Sequence, residues 1–281
     1  MKKIIFLFLI GFIFSCSSEK DSYQIMTYNI RYDNPNDGKN KWSKRKVFLT
    51  DQLAYNQPDV FGIQEGLQHQ VQYLDSIFGG YNYIGIGRDD GKTKGEYSAI
   101  FYQKERLEVL NKGTFWLSET PNEISVGWDA SMERICTYGL FKNKINSEQF
   151  WVFNTHFDHI GNIARVKSAG LILEKIEELN IDNLPVIVMG DFNLKPETVA
   201  IQLLAKYLND TNKISKSKPF GPTGTFNGFN FSKPVLDRID YIFTSKDGIQ
   251  VLKYAVLSDS KDCNYPSDHL PVLVELKFIN Q

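Results

Sequence analysis

The run LPVIVMGDFN, Leu184 to Asn193, is the stretch of the chain that bears most directly on the fold. Its apolar part, Pro185 to Met189, has no alternation of polar and apolar residues, which is typical of a strand buried on both faces. The strand then runs into Asp191, whose carboxylate would be costly to bury without a partner. This pattern predicts a central strand that delivers polar side chains to one edge of a sheet.

Similar short runs recur along the chain, and several of them also end in polar residues. They predict strands at about 24–30, 60–64, 81–87, 97–102, 107–115, 150–155, 238–243, 249–257 and 270–278. Helices are predicted at about 43–56, with Ser43 as its cap, and at about 68–78, 162–179 and 197–208. The segment 209–234 is rich in Gly, Pro, Asn and Ser, which is typical of a loop. Because strands outnumber helices in a mixed order, we predict an α/β fold of two packed mixed β-sheets flanked by helices.

The first residues have the pattern of an export signal. Lys2 and Lys3 precede an apolar run, Ile4 to Phe14, that is too short to span a bilayer, and Ser15 and Cys16 follow. This resembles a bacterial lipoprotein signal that is cut before Cys16, whose thiol would carry the lipid. A plain signal peptide with an incidental cysteine is the alternative.

The expected organisation is therefore a signal at 1–15, a tether at 16–22 and one domain at 23–281. We expect an exported lipoprotein at the periplasm or the cell surface that meets the membrane only through its anchor. Cys136 and Cys263 are the cysteines of the domain, and their spacing does not decide whether they pair. We expect a monomer.

The charge balance argues against a general nucleic-acid binder. Loss of Lys2 and Lys3 with the signal would leave 30 of the 32 basic residues against 33 acidic ones, a net charge of about −3. A protein that binds nucleic acid by releasing counterions usually has a basic surface. The composition therefore favours a small phosphoester over nucleic acid as the partner.

Polar residues suited to metal and phosphate chemistry follow several of the predicted strands. Taken singly, each has an ordinary explanation, because Asn or Asp after a strand is usually a turn residue and a lone His is more often structural. Together they form six ordered strings: TYNIR (27–31), IQE (63–65), NTHFDH (154–159), GDFN (190–193), RIDYIF (238–243) and SDHLPV (267–272). From about residue 24 to 277 the chain resembles the endonuclease/exonuclease/phosphatase superfamily, which includes deoxyribonuclease I, abasic-site nucleases, neutral sphingomyelinases and inositol polyphosphate 5-phosphatases.

This resemblance implies a deoxyribonuclease I-like four-layer sandwich and a metal-dependent phosphoesterase. It implies that Glu65 is the principal metal ligand, with Asp268 as a second ligand and Asn29 beside them. Oxygen ligands of this kind suit Mg²⁺ or Mn²⁺. Asn29, Asp191 and Asn193 would position the phosphate, a metal-bound water or a second cation, and the sequence leaves these roles open.

The resemblance also implies which residues transfer protons. His269 matches the general base and Asp240 the carboxylate that orients it, while His156 matches a second histidine; the reference pKa of His suits proton transfer near neutral pH. Glu96, at the head of the string EYSAIFY, fits the carboxylate that pairs with His156. A solvent-exposed loop carboxylate is the alternative for Glu96.

Further positions are candidates for substrate binding. Arg31 and Arg134 match positions that contact phosphate, with a structural ion pair as the alternative. Lys94, in the loop 87–95 that also holds Arg88 and Lys92, is a candidate at the rim. Trp128 and Phe226 either stack on a sugar or base or pack in the core. His69 and His159 match no catalytic position, so we expect them to be structural or exposed.

The resulting hypothesis is a hydrolase of a small, glycan-linked or lipid-linked phosphoester at the cell envelope. An extracellular scavenging nuclease is one alternative. A catalytically inactive module that binds a glycan or a lipid is another, but such a module has no physical reason to keep two histidines beside so many carboxylates. Fold-level analogy extends only to the reaction class.

Overall fold

The computed structural model describes residues 21–279. The predicted signal at 1–15, Cys16 and the tether up to residue 20 lie outside the described residues, as do residues 280 and 281. Within the described range, no helix is both long enough and apolar enough to cross a membrane.

Two six-stranded sheets form the centre of the protein. The first has the strand order β11-β12-β1-β2-β4-β3 and the second β5-β6-β7-β8-β10-β9. The strands are β1 Tyr23–Asn29, β2 Val60–Gln64, β3 Tyr81–Ile84, β4 Ile100–Gln103, β5 Leu107–Trp116, β6 Ile135–Asn143, β7 Gln149–His156, β8 Val186–Asp191, β9 Leu208–Asp210, β10 Asp240–Ser245, β11 Ile249–Val256 and β12 Val272–Phe278. Each sheet contains one parallel pair, β1 with β2 and β7 with β8, among antiparallel neighbours. This arrangement confirms the predicted pair of mixed sheets.

The helices are α1 Trp42–Asn56, α2 Gln68–Ile77, α3 Asn162–Leu179, α4 Val199–Tyr207 and α5 Thr211–Ile214. The prediction that Ser43 caps α1 is wrong, because the helix already begins at Trp42 and no side chain caps it. The predicted strands omitted β6, because Gly139 and Lys142 interrupt the apolar run of its sequence. The predicted loop 209–234 also contains the end of β9 and the short helix α5.

Three apolar clusters hold the layers together. Ile25 of β1 and Val152 of β7 belong to the cluster between the two sheets. A second cluster packs α3 and α4 on the outer face of the second sheet, and a third packs α1 and α2 on the first. At Gly62 the sheets approach so closely that an added Cβ would lie 2.6 Å from the side chain of Asn154. The four layers are therefore helix, sheet, sheet and helix.

The sheet directions bring one set of strand ends to a common edge. β1, β2, β7 and β8 end there, and the antiparallel strands β10 and β12 begin there. The polar strings of the sequence lie at the ends of β1, β2, β7 and β8 and at the starts of β10 and β12. Strand direction thus gathers residues that lie more than 200 positions apart in the chain.

Candidate active site

Asn29, Glu65 and Asp191 form the centre of the site at this edge. The Nδ2 of Asn29 donates to Glu65 Oε1 and to Asp191 Oδ2, both at 3.0 Å. The Oδ1 of Asn29 accepts the backbone N–H of Arg31 at 2.9 Å. In this orientation Asn29 holds two carboxylates side by side, whereas the sequence predicts it as a metal ligand.

One oxygen or nitrogen from each of Glu65, Asp191 and His269 lies within 4.8 Å of the others, which makes these residues a candidate cation site. Asp191, which the sequence predicts as a catalytic residue, therefore lies beside Glu65 as a candidate cation ligand. Asp268, predicted as the second ligand, is not in this closest group; its Oδ2 lies 3.7 Å from Arg31 Nε. The charge of Glu65 nevertheless raises the pKa of Asp268, after the larger effect of burial, so the two carboxylates are close neighbours.

His269 and Asp240 form a buried dyad. The Nδ1 of His269 lies 2.9 Å from Asp240 Oδ2, and its Nε2 lies 3.7 Å from Asp191 Oδ2. The Oγ1 of Thr225 accepts the backbone N–H of Asp240, which fixes the start of β10. Asp240 therefore orients the imidazole so that Nε2 faces the carboxylate centre.

His156 approaches Asp191 from the neighbouring strand. Its Nε2 lies 3.4 Å from Asp191 Oδ2 and 3.0 Å from Asn193 Nδ2. The same Nδ2 donates to the backbone carbonyl of Phe157 at 3.0 Å. The two predicted histidines thus approach one carboxylate oxygen: His156 lies on β7 beside β8, and His269 precedes β12 and is held by Asp240 at the start of β10.

Burial and neighbouring charges give these groups different proton affinities. Burial, and then the charge of Asp240, raises the pKa of Asp191 to about 7. Burial would lower the pKa of His269, but the charges of Asp240 and Asp191 outweigh it and raise this pKa well above its usual value. Burial, reinforced by nearby Arg134, lowers the pKa of His156 well below its usual value. The two histidines therefore favour opposite protonation states near neutral pH.

Arg31 lies beside the carboxylate centre. It forms a two-bond ion pair with Asp37, with Nε–Oδ2 and Nη2–Oδ1 distances of 3.1 and 3.2 Å, and its Nη1 is 3.9 Å from Glu65 Oε2. Its carbonyl and that of Ile30 accept hydrogen bonds from the buried guanidinium of Arg45, which sequence reasoning did not single out. Arg45 thereby fixes the chain that leaves β1.

Arg134 combines a structural contact with an unsatisfied donor. Its Nε lies 3.4 Å from Asp158 Oδ1 and its Nη2 lies 3.0 Å from the Nδ1 of His159. Its Nη1 is buried without a hydrogen-bond partner among the described residues. The structural ion pair is therefore formed, and one donor of this guanidinium remains unused in the described part of the chain.

The loop before β4 differs from the solvated rim that its charges suggest. Arg88 turns inward and pairs with Glu96, so neither is an exposed loop residue. Lys94 is exposed, and its backbone N–H is held by Asp90 Oδ1 at 2.9 Å together with two neighbouring amides. Among the described residues, the side chain of Lys94 makes no hydrogen bond or ion pair with the catalytic cluster. The position of Arg88 is the main feature that the sequence did not reveal, because its partner is set by the loop conformation.

The two candidate aromatic residues lie in different surroundings. Phe226 packs edge-on against the His269 ring at a centroid distance of 5.1 Å while 39% of its surface stays exposed. Trp128 lies in the loop between β5 and β6, and the adjacent Asp129 accepts the N–H of Ala164 in the first turn of α3 at 2.7 Å. Phe226 is therefore a wall of the site, whereas Trp128 is placed by a structural turn.

Several site residues have unusual backbone conformations. Arg31, Glu65, Asn193 and Trp128 have φ values of +56°, +62°, +51° and +50°. For residues other than glycine, this left-handed region costs of order 1–3 kcal/mol, and it is enriched at functional sites. Gly190 has a φ of +150°, and a Cβ there would lie 2.0 Å from the carbonyl oxygen of Thr155. The turn that carries Asp191 and Asn193 therefore needs glycine before it.

The remaining candidates have structural or peripheral places. His69 is exposed and lies 3.0 Å from Asp33, and His159 contacts Arg134, as expected for residues outside the catalytic set. Cys136 is buried and Cys263 is exposed, and both are free. The open question of their pairing is thus answered for the described part of the chain.

Comparisons with known proteins agree with this geometry. A family model described as "Endonuclease/Exonuclease/phosphatase family" matches residues 26–269. A structure of a mannosyl-6-phosphatase from Bacteroides thetaiotaomicron is 41% identical with a TM-score of 0.87, covering 91% of this chain and 100% of that one. An endonuclease/exonuclease/phosphatase family protein from the same organism is 40% identical with a TM-score of 0.89, covering 92% and 98%. A protein of Acanthamoeba polyphaga mimivirus is 26% identical over 255 residues, which cover 83% of this chain and 91% of that protein.

Proposed function

This chain belongs to the endonuclease/exonuclease/phosphatase family, and on that premise we propose that it removes phosphate from a sugar or glycan phosphoester. Members of the family are hydrolytic phosphoesterases. The observation that carries the finer proposal is the 41% identity, over nearly the whole chain, to a protein described as a mannosyl-6-phosphatase. A mannosyl 6-phosphate is therefore the first substrate to test.

The two histidines have complementary parts in this reaction. His269, held by Asp240 at 2.9 Å, presents Nε2 to the centre of the site and is the candidate base. The charges of Asp240 and Asp191 raise its pKa, and a cation held by Glu65 and Asp191 would offset part of this charge and so favour the unprotonated ring that a base needs. His156 is neutral and its Nε2 accepts a hydrogen bond from Asn193, so it is the candidate to orient the attacking water or a substrate hydroxyl. Asp191 lies between their Nε2 atoms, which keeps the two rings directed at the same volume.

A divalent cation fits the donor set at this centre. Glu65 and Asp191 place carboxylate oxygens together, and Asp240 Oδ1 is buried with no hydrogen-bond partner in the described range. Like charges packed this closely are stabilised by a cation, and oxygen donors suit Mg²⁺ or Mn²⁺. Glu65 and Asp191 would hold the ion, with Asp268 nearby. The ion would supply positive charge that offsets the repulsion between the phosphate and the carboxylates.

The side chains around the centre suit a compact substrate. Arg134 offers an unpaired Nη1, and Arg31 lies between Glu65 and Asp268, so phosphate contacts are few and local. Phe226 is half-exposed beside His269, where it can pack on the apolar face of a sugar ring. The proposed substrate therefore has one or two phosphates and a sugar next to the scissile bond.

The proposed location is the cell envelope. It depends on the signal pattern that ends at Cys16, which lies outside the described residues. Lipid labelling and membrane fractionation of the natural protein, compared with Cys16→Ser, would test it. Recovery of both proteins in the soluble fraction would contradict the anchor.

The decisive experiment compares substrates with and without divalent cation. Mannose 6-phosphate, a simple phosphodiester and plasmid DNA would be assayed with Mg²⁺ and with Mn²⁺ at several salt concentrations. We expect phosphate release from the sugar ester to exceed cleavage of DNA, with little dependence on salt. Efficient plasmid cleavage that falls steeply with salt would instead favour the nuclease alternative.

A further inference from the structure

Arg88 forms a buried ion pair at the edge of the catalytic cluster. Its side chain is only 11% exposed, and its guanidinium bonds both oxygens of Glu96, with Nη1–Oε2 and Nη2–Oε1 distances of 2.8 and 3.1 Å. The backbone carbonyl of Arg88 accepts the indole N–H of Trp116 at 2.9 Å, which anchors the loop. A two-bond pair of this kind fixes the plane of the carboxylate as well as its position.

The hydrogen bonds of His156 define which ring nitrogen carries the proton. The Nδ2 of Asn193 must face the carbonyl of Phe157, because the amide oxygen would be repelled there. The second N–H of the same amide then donates to His156 Nε2 at 3.0 Å. With Nε2 accepting, the neutral ring carries its proton on Nδ1.

The Nδ1 of His156 lies near the oxygen that Arg88 holds. Glu96 Oε2 is 3.8 Å from Nδ1, and Nδ1 is buried with no hydrogen-bond partner among the described residues. Arg88, Glu96, Arg134 and His156 line one small void. A buried donor left unpaired costs about 1–3 kcal/mol, so a shift of roughly 1 Å that closes this gap is favourable.

We propose that Arg88 is a positioning residue for the phosphoesterase reaction: it holds the Glu96 carboxylate as the acceptor of the His156 Nδ1–H, and thereby directs His156 Nε2 at the substrate. The role rests on the proposed hydrolytic function. Burial raises the pKa of Glu96, and the positive charge of Arg88 opposes this change. When Nε2 accepts a hydrogen bond or a proton in the site, the Glu96 carboxylate stabilises the ring through the Nδ1–H.

The first test separates positioning from substrate binding. Arg88→Gln should lower kcat on mannose 6-phosphate by about 10- to 100-fold, the effect of losing a residue that orients a catalytic group, with a much smaller change in KM. Glu96→Gln should have a similar effect. Because Arg88 acts through Glu96, the double variant should be no slower than Glu96→Gln alone. Arg88→Lys should recover part of kcat, since it keeps the charge but not the two-bond geometry.

Arg106→Gln is a matched control. Arg106 forms a comparably buried ion pair, 2.7 Å from Asp59 Oδ1, at the opposite end of the strands. This variant should lose thermal stability while kcat stays unchanged. Unchanged kcat in Arg88→Gln, multiplicative losses in the double variant, or a rise in KM with constant kcat would each overturn the positioning role.

A second measurement does not depend on activity. The chain has four histidines, so the imidazole N–H signals can be assigned by NMR with His156→Asn as the reference. Arg88→Gln should shift the Nδ1–H signal of His156 and speed its exchange with water, whereas Arg106→Gln should not. An unchanged signal in Arg88→Gln would refute the contact. If the natural enzyme hydrolyses no phosphoester, the proposed function fails while this comparison still decides the role of Arg88.

Discussion

Replacing Asp240 by Asn removes one charge from the His269 dyad while preserving its shape. The carboxylate and the imidazole are 1% and 5% exposed, and their bond length is 2.9 Å, so solvent screens this contact little. A hydrogen bond to a charged group contributes about 1.5–3 kcal/mol. If that stabilisation is realised mainly when the ring gains its proton, its loss lowers kcat by about 10- to 150-fold.

The assay is steady-state hydrolysis of mannose 6-phosphate by purified Asp240→Asn and by the natural protein, with KM and the melting temperature measured on the same samples. Asp237→Asn serves as the matched control. Asp237 lies three residues away, and its side chain is 50% exposed in an ion pair with Lys195 at 2.6 Å. Because exposed pairs contribute little, this control should keep full activity.

Two results would refute the reasoning about the dyad. If Asp240→Asn kept kcat within twofold of the natural protein, the charge of Asp240 would not act in the rate-limiting step. If Asp237→Asn lost as much activity as Asp240→Asn, the effect would reflect charge near the site in general. A fall in kcat that is explained fully by unfolding would show a structural role instead.

Four further outcomes are expected. Excess chelator should abolish activity, and added Mg²⁺ or Mn²⁺ should restore it. Glu65→Gln should need a higher metal concentration for half-maximal activity while its melting temperature stays unchanged. Full activity in excess chelator would contradict the cation site. His156→Ala should lower kcat by roughly 10² while the protein stays folded, as checked by circular dichroism. Asp210→Ala breaks a buried ion pair with Arg238, in which Nη2 and Oδ2 are 2.6 Å apart. It should reduce the free energy of unfolding, measured in urea, by about 3–5 kcal/mol. A loss of less than about 1 kcal/mol would contradict the contribution expected of a buried pair. Burial would raise the pKa of Asp158, but hydrogen bonds from Gly161, Ser131 and Ile160 outweigh it and lower this pKa. The ionised Asp158 therefore stabilises the fold above the unfolded carboxyl pKa, and this stabilisation is lost as pH falls through the folded value. Asp158→Asn should make the free energy of unfolding depend less on pH in the acid range.

The sequence was most informative where burial and chemistry are expressed locally. The unbroken apolar run of β8 identified a central strand, and α3 was predicted at its observed bounds, because a helix of 18 residues repeats its apolar face several times. β6 was missed, since Gly139 and Lys142 interrupt the apolar run of its sequence. Local pattern thus sufficed for long or fully buried elements and failed for a strand in which buried and partly buried residues alternate.

The residues of the catalytic cluster could be identified from the sequence, but the distances and hydrogen bonds between them could not. Asn29, Glu65, His156, Asp191, Asp240 and His269 each stand at a strand end, and their strings resemble one family in order and wording. Their mutual distances depend on which strands pair and in which direction. Only the structure could therefore show that Asn29 donates to both carboxylates and that Asp191 lies between the two histidines.

Arg88 illustrates what only the tertiary structure decided. In the sequence it is one of several charged residues in a polar loop, a setting that usually means exposure to solvent. In the folded protein the loop turns its guanidinium inward onto Glu96, because a buried carboxylate beside His156 needs a counter-charge. The composition of a loop determines its charge, whereas the packing around it determines which side chains that charge meets.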